Sequence, residues 1–156
     1  MKNSTTNHAN KHEQEETTND TNSTNKMETT NNTNIIYKDE CYRINQAIFK
    51  VHNNLGSGFL ESVYQEALEI ELEAAGIPFE SQKLIQIFYN EKPLKQYFKA
   101  DIVCFNKILL ELKAISKINN EHKAQLMNYL TATKMKLGLI INFGTHPKVE
   151  ICRIAL

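Results

Sequence analysis

Fifteen residues constrain this chain more than any others: Lys99-Ala100-Asp101-Ile102-Val103-Cys104-Phe105-Asn106-Lys107-Ile108-Leu109-Leu110-Glu111-Leu112-Lys113. Two apolar runs meet at a turn near Asn106-Lys107, which predicts a β-hairpin. Asp101, Glu111 and Lys113 interrupt the apolar pattern, and a buried charge is costly unless it is paired or holds a metal. Glu111 and Lys113 are two apart and share one face of their strand, while Ile108, Leu110 and Leu112 take the other. The loop length decides whether Asp101 joins them. A two-residue loop pairs Phe105 with Ile108 and sets Asp101 opposite Leu112, on the wrong face. A three-residue loop, Phe105 to Lys107, pairs Cys104 with Ile108 and sets Asp101 opposite Glu111. A three-residue loop or a bulge is therefore expected.

Two carboxylates side by side repel each other, and a divalent cation removes that cost. Mg²⁺ takes carboxylate oxygens together with waters and phosphate. A lysine two residues on could hold an attacking water or steady phosphate charge. Asp, then Glu-x-Lys on the neighbouring strand, is thus a constellation suited to phosphodiester cleavage. The competing reading is an ion-paired patch on the wet face of an antiparallel sheet.

The 156 residues carry no net charge, but the balance is uneven. Residues 81 to 156 hold twelve basic and five acidic side chains, a net of +7, whereas residues 35 to 80 hold three and eight. A basic second half suits a phosphate-binding surface, although lysines at sheet edges and helix ends have the same composition. Cys41, Cys104 and Cys152 are far apart and odd in number, without zinc spacing or a disulfide framework. The start leads into no apolar run, and no stretch is long enough to span a bilayer. An intracellular, cytoplasmic setting with no membrane contact is expected.

Residues 1 to 34 are low in complexity: eighteen are Asn or Thr, and almost none is apolar. Such a segment cannot bury enough surface to offset the entropy of ordering it, so a disordered tail is expected, followed by one domain over residues 35 to 156. A first helix runs from about Asp39, a candidate cap, to Asn54, with Ile44, Ala47, Ile48 and Val51 at helical spacing. Leu55-Gly56-Ser57-Gly58-Phe59 breaks it. A second helix spans about Leu60 to Ala75, stopped by Gly76. Within it Glu61 sits one turn before Tyr64, on the side read as buried. It is either a first-turn acid facing the helix dipole or a metal or water ligand leaning over the sheet. Phe79 to Tyr89 alternates as a strand, with Phe79, Ser81, Lys83, Ile85, Ile87 and Tyr89 on one side, and Asn90 to Pro93 is its turn. Strands from Leu94 to Phe105 and Lys107 to Ala114 complete a three-stranded antiparallel meander. A third helix, capped by Asn119 or Asn120, runs to about Lys134 and stacks Gln125 on Tyr129, with His122 one turn earlier. Leu137 to Phe143 is an interior strand compatible with parallel pairing, and Lys148 to Ile154 an edge strand. The fold class expected is α/β, an α+β-type mixed sheet: two helices, the meander, a helix, two further strands.

Gly58-Phe59-Leu60-Glu61-Ser62-Val63-Tyr64 resembles the Gly-x-x-Glu-x-x-Tyr signature of the GxxExxY proteins, which are grouped with the PD-(D/E)xK nuclease superfamily. The resemblance covers about residues 38 to 156 and is ordered: the Gly/Glu/Tyr turn, Asp101, Glu111-Leu112-Lys113, then Gln125-Met127-Tyr129, then Leu137 to Gly144. The Gln-x-x-x-Tyr pair is similar to that of RecB-like branches. The resemblance implies a restriction-endonuclease-like core, with Asp101 and Glu111 as metal ligands and Glu61 completing or tuning the metal site. It implies that Lys113 positions or activates water, with Gln125, Tyr129 and Tyr64 binding or orienting substrate. It implies Mg²⁺, with Mn²⁺ as a substitute, and DNA or RNA as partner. No recognition domain is read beside this one, so a homodimer mate or a protein partner is expected to supply specificity. Ala100 stands where the superfamily's name has Pro. The activity implied is metal-dependent nuclease hydrolysis. The alternative is a nucleic-acid- or partner-binding protein on the same fold that does not cleave, because fold alone does not fix function.

Overall fold

The structure, a computed structural model, describes residues 35–156. The expected Asn/Thr-rich tail lies outside the described residues. The apolar stripe of Cys41, Ile44, Ala47, Ile48 and Val51 forms helix α1 (Lys38–Leu55) and buries it along that stripe. Asp39 does not cap this helix. Tyr37 occupies the cap position in a left-handed conformation, and Asp39 and Glu40 fall in the first turn, where acids favour the helix dipole. Helix α2 (Glu61–Ala74) buries Tyr64, Leu68 and Leu72 against the same core. It ends at Gly76 with paired bonds from Gly76 N–H to Glu73 and from Ile77 N–H to Leu72, the Schellman arrangement that satisfies the last carbonyls. Arg43 of α1 donates to the Ala75 and Gly76 carbonyls beside it.

The meander follows as expected: β1 (Phe79–Tyr89), β2 (Lys92–Cys104) and β3 (Ile108–Lys113). Cys104 pairs with Ile108, so the loop has three residues, and Phe105 and Asn106 both take positive φ to close it. Helix α3 (Asn120–Thr133) starts at Asn119, whose side chain accepts the His122 N–H while the His122 ring accepts the Asn119 N–H. That reciprocal cap accounts for His122. Strand β4 (Leu137–Asn142) is buried throughout and pairs parallel to β3, and β5 (Glu150–Ala155) closes the sheet antiparallel to β4. The sheet order is β1-β2-β3-β4-β5. Helices α1 and α2 cover one face through Ile102, Leu110, Leu112, Leu139 and Ile141. Helix α3 covers the other through Val103, Leu109 and Ile140. Among the described residues no helix is long and apolar enough to cross a membrane.

Simple alternation along β1 does not hold. Phe79 packs with the α1–α2 core, while Ile85 and Ile87 pack under α3. The strand turns over at Gln82, which has φ +50°. Its counterpart by register is Asp101, and this pair is missing from an otherwise continuous ladder between Ser81↔Ile102 and Lys83↔Ala100. β2 turns over at the same level: Ala100 lies beneath α3, Ile102 beneath α1 and α2.

Candidate active site

The turnover at Asp101 coincides with a fork in the sheet. β2 pairs with β3 only from Ile102↔Leu110 to Cys104↔Ile108. Beyond that point β2 continues with β1 alone, and the end of β3, Glu111 to Lys113, pairs with β4 alone. Asp101 stands where the strands part. Its Oδ2 accepts the Leu112 N–H at 2.8 Å, so the carboxylate takes the place of the missing ladder carbonyl and is held beside the end of β3.

Glu111 and Lys113 point to the face of β3 opposite Leu110 and Leu112, as period-two alternation requires. Their side chains retain only 13% and 17% of their exposure. Lys113 Nζ donates to Glu111 Oε1 at 2.9 Å, whereas Glu111 Oε2 is buried with no hydrogen-bond partner among the described residues. Burial pushes the Glu111 carboxyl above its ordinary range. The Lys113 hydrogen bond works against that rise, and the Asp101 and Glu61 charges add to it. For Lys113, burial alone would lower the pKa. The Glu111 hydrogen bond and the charges of Glu111, Glu61 and Asp101 outweigh it and raise the value, so the lysine stays charged. These mutual effects bring Asp101, Glu111, Lys113 and Glu61 into one electrostatic cluster.

Glu61 reaches the cluster through the Gly58–Tyr64 stretch. Gly58 has φ +113°, a conformation that a side chain disfavours, and it turns the chain into α2. Glu61 is the first residue of that helix and is exposed. One turn later Tyr64 is fully buried and stacked on Phe143 at 4.6 Å. Its hydroxyl donates to the Gly56 carbonyl at 2.9 Å and accepts the Phe59 N–H at 3.2 Å. The Gly/Glu/Tyr spacing is thereby explained locally: glycine makes the turn, tyrosine clamps it from below, and the acid between them is fixed at the helix start. Tyr64 orients this segment from inside the core. Gln65, the next residue, accepts from Gln82 and so ties α2 to the sheet at the level of Asp101.

Gln125 and Tyr129 do lie on one face of α3. Gln125 Nε2 donates to the Tyr129 hydroxyl at 2.8 Å, and the Tyr129 ring stacks on Phe98 of β2. Neither side chain hydrogen-bonds to Asp101, Glu111, Lys113 or Glu61, and Gln125 is exposed. The sequence did not reveal the scaffold behind Lys113. Buried Asn142, paired with Lys113 across the parallel strands, accepts the Ile115 and Gly144 N–H groups and donates to Glu150. Glu150 in turn accepts the Ile118 N–H. A lone Asn in an apolar strand was the only available signal; nothing marked Glu150.

Among the described residues, no three His, Cys, Asp or Glu side chains form a ready-made metal cage. Mg²⁺ does not require one, since it binds through one or two carboxylates and keeps several waters. A buried carboxylate oxygen without a partner, next to the Asp101 carboxylate, is the donor set such an ion takes, so the residues fit it. Two surface cavities, of about 610 and 650 Å³, are lined by none of the four cluster residues. A phosphodiester backbone lies along an open groove and needs no enclosed chamber.

A family model described as the PD-(D/E)XK nuclease superfamily matches residues 38–154. No curated protein matches the chain. A solved structure titled "Crystal structure of SSO0001" aligns at a TM-score of 0.45 and 22% identity, over 60% of this chain. The alignment spans about half the length of that protein, 48% of it.

Proposed function

The chain belongs to the PD-(D/E)XK nuclease superfamily, and from that premise we propose that it hydrolyses phosphodiester bonds of nucleic acid at the fork between β2 and β3. The observation that carries this reading is the partnerless, buried Oε2 of Glu111, beside Asp101 and the charged Lys113. A protein that only bound phosphate would gain nothing from an unsatisfied buried acid there, since carboxylates repel the ligand. Asp101 and Glu111 would hold Mg²⁺ or Mn²⁺, with Glu61 as a further acid at the rim. When bound, the metal would supply charge neutralisation at the phosphate and a more acidic water.

Each residue then has a task. Asp101, fixed by the Leu112 N–H, presents its second oxygen without rotating away. Glu111 keeps Lys113 within reach of the reacting phosphate. Lys113 orients the attacking water and stabilises charge on the non-bridging oxygens as the new P–O bond forms and the old one breaks. Gln125 and Tyr129, locked to each other, orient the substrate from the α3 side. Tyr64 and Gly58 hold Glu61 in place, and the Gly58–Tyr64 signature supports placing the chain among the GxxExxY proteins. The net +7 of residues 81 to 156 holds the backbone largely without reading sequence.

The test is incubation of the purified chain with end-labelled single- and double-stranded DNA and RNA, in Mg²⁺, in Mn²⁺ and in EDTA. Metal-dependent cleavage that disappears in Asp101→Asn and Glu111→Gln, and falls about 10²–10³-fold in Lys113→Met, is the expected result. Nucleic acid bound but uncut by the wild-type chain in millimolar metal would move the assignment to a non-catalytic binding protein.

A further inference from the structure

Beyond the fork, β1 and β2 run on as a two-stranded ribbon with one covered face. Ile85, Phe98 and Ala100 pack under α3. The opposite face is fixed by register: Leu84 lies across from Lys99, and Gln86 across from Tyr97. Lys95 is exposed two residues before Tyr97, where β2 carries two extra residues opposite the Gln86–Phe88 step. Leu84 and Tyr97 are 65% and 56% exposed, and Lys95 and Lys99 are exposed. None of these residues belongs to either core. Helix α2 is bonded to β1 at Gln82, and among the described residues none from 83 to 100 belongs to the core beneath α1 and α2, so the open face begins beside Asp101 and the helix that carries Glu61.

The geometry points to this ribbon face as a platform for single-stranded nucleic acid that feeds an unpaired strand into the fork. Three features favour that occupant. Between residues 84 and 99 there are three lysines and a single acid, Glu91, at the hairpin tip, so the face complements phosphate. Exposed Lys95 and Lys99 flank Tyr97 along β2, one on either side, so phosphates can be held with a base on the ring between them. An exposed aromatic ring meets a base face only where the base is unpaired, and such stacking tolerates any sequence. A second copy of this chain fits less well. The edge strand β1 is broken at Gln82, and its pairing with β2 shifts register between Gln86 and Phe88, which blunts strand addition. A face-to-face pair would also bring the lysine rows together.

This inference names the substrate class for the proposed nuclease and rests on that reading only for its purpose; binding itself is measured without metal. Fluorescence anisotropy of labelled 12-mer oligo(dT) and oligo(U), and of a duplex of equal length, would be recorded with the full chain in EDTA. Tighter binding of the single strands is expected, with a loss of about 10- to 100-fold in Tyr97→Ala and recovery in Tyr97→Phe. Lys95→Ala with Lys99→Ala should lower the slope of log affinity against log salt by about 1.4. Absence of cleavage by the wild-type chain in millimolar Mg²⁺ or Mn²⁺, with single-strand binding in EDTA retained, would overturn the nuclease reading and not the platform. Binding indifferent to Tyr97→Ala in a chain of unchanged circular dichroism, or a preference for duplex, would overturn the platform. So would sedimentation as a dimer that Tyr97→Ala dissociates, which would make the face a self-interface.

Discussion

Among the described residues, Lys113 is the only hydrogen-bond partner of the Glu111 carboxylate. Lys113→Met would leave the acid buried and unpaired, at a cost of about 3 kcal/mol at neutral pH. The pH dependence follows from the raised pKa of Glu111. The folded chain keeps that proton to higher pH than the unfolded chain does, so stability falls as pH rises through the interval between the two values. Without Lys113 the interval widens, and the destabilisation should be larger at pH 7 than at pH 5. Urea denaturation of the variant and parent at both pH values reads this directly; equal costs would show that Glu111 does not depend on Lys113 for its charge. Cys104 gives a second residue-level expectation. Burial pushes its thiol up to about 12, so it should resist iodoacetamide at pH 8 in the folded chain and react only after unfolding, as mass mapping would show. The same rise predicts stability lost above the ordinary thiol pKa, since the folded form holds the proton that the unfolded form releases.

Single contacts carry much of the placement of whole elements. Tyr64→Phe keeps the stacking on Phe143 but leaves the Gly56 carbonyl and Phe59 N–H without their partner, a cost of about 1–2 kcal/mol. Cleavage should fall further than nucleic-acid binding, because Glu61 moves while the ribbon does not; an equal loss of both would assign Tyr64 to overall folding. Gly144→Ala would set a Cβ 2.5 Å from the Ile115 backbone. Neither chain can yield there without disturbing the Asn142 bonds, so a loss of about 3 kcal/mol is expected in thermal unfolding. Sequence periodicity found every one of these elements, because each helix and strand buries a stripe long enough to show its repeat. It expected a three-residue hairpin loop or a bulge, and the loop has three residues, but the expected pairing of Asp101 opposite Glu111 does not form: the ladder ends at Ile102↔Leu110 and Asp101 bonds the Leu112 N–H instead. It missed the turnover at Gln82 and Asp101, since a glutamine at positive φ carries no local signal and the cause is tertiary: α2 ends its cover of the sheet there and α3 takes the ribbon. The Asp39 cap failed for a similar reason, as Tyr37 is held at the helix start beneath Lys107 and the helix begins one residue early. The acids and lysine of the cluster were legible because charges are conspicuous among apolar residues. The Asn142–Glu150 support was not, because its purpose lies in backbone groups thirty residues away.

At the scale of the whole molecule, the proposed site would couple folding to proton and cation together. In the absence of metal, Glu111 is easier to fold protonated, so its contribution to stability declines as pH rises above the ordinary glutamate range. On the proposed reading, a divalent cation held by Asp101 and Glu111 would take the place of that proton and bind only the ionised acid. Cation binding should therefore stabilise the folded chain by mass action, with little effect at pH 4–5 and a growing one towards pH 8. Lys113 does not oppose this trend, because its pKa is raised and its charge persists across the whole interval. Melting temperatures measured in EDTA and in 10 mM Mg²⁺ along that pH range should diverge with pH. At a hundredfold excess over the dissociation constant the gain is about 2.7 kcal/mol, several degrees for a domain of this size. In Glu111→Gln the two curves should coincide, since the amide neither titrates nor replaces a carboxylate ligand. Curves that coincide in the parent chain would remove the metal from the fork, whereas a gap that does not change with pH would place the cation on carboxylates other than Glu111.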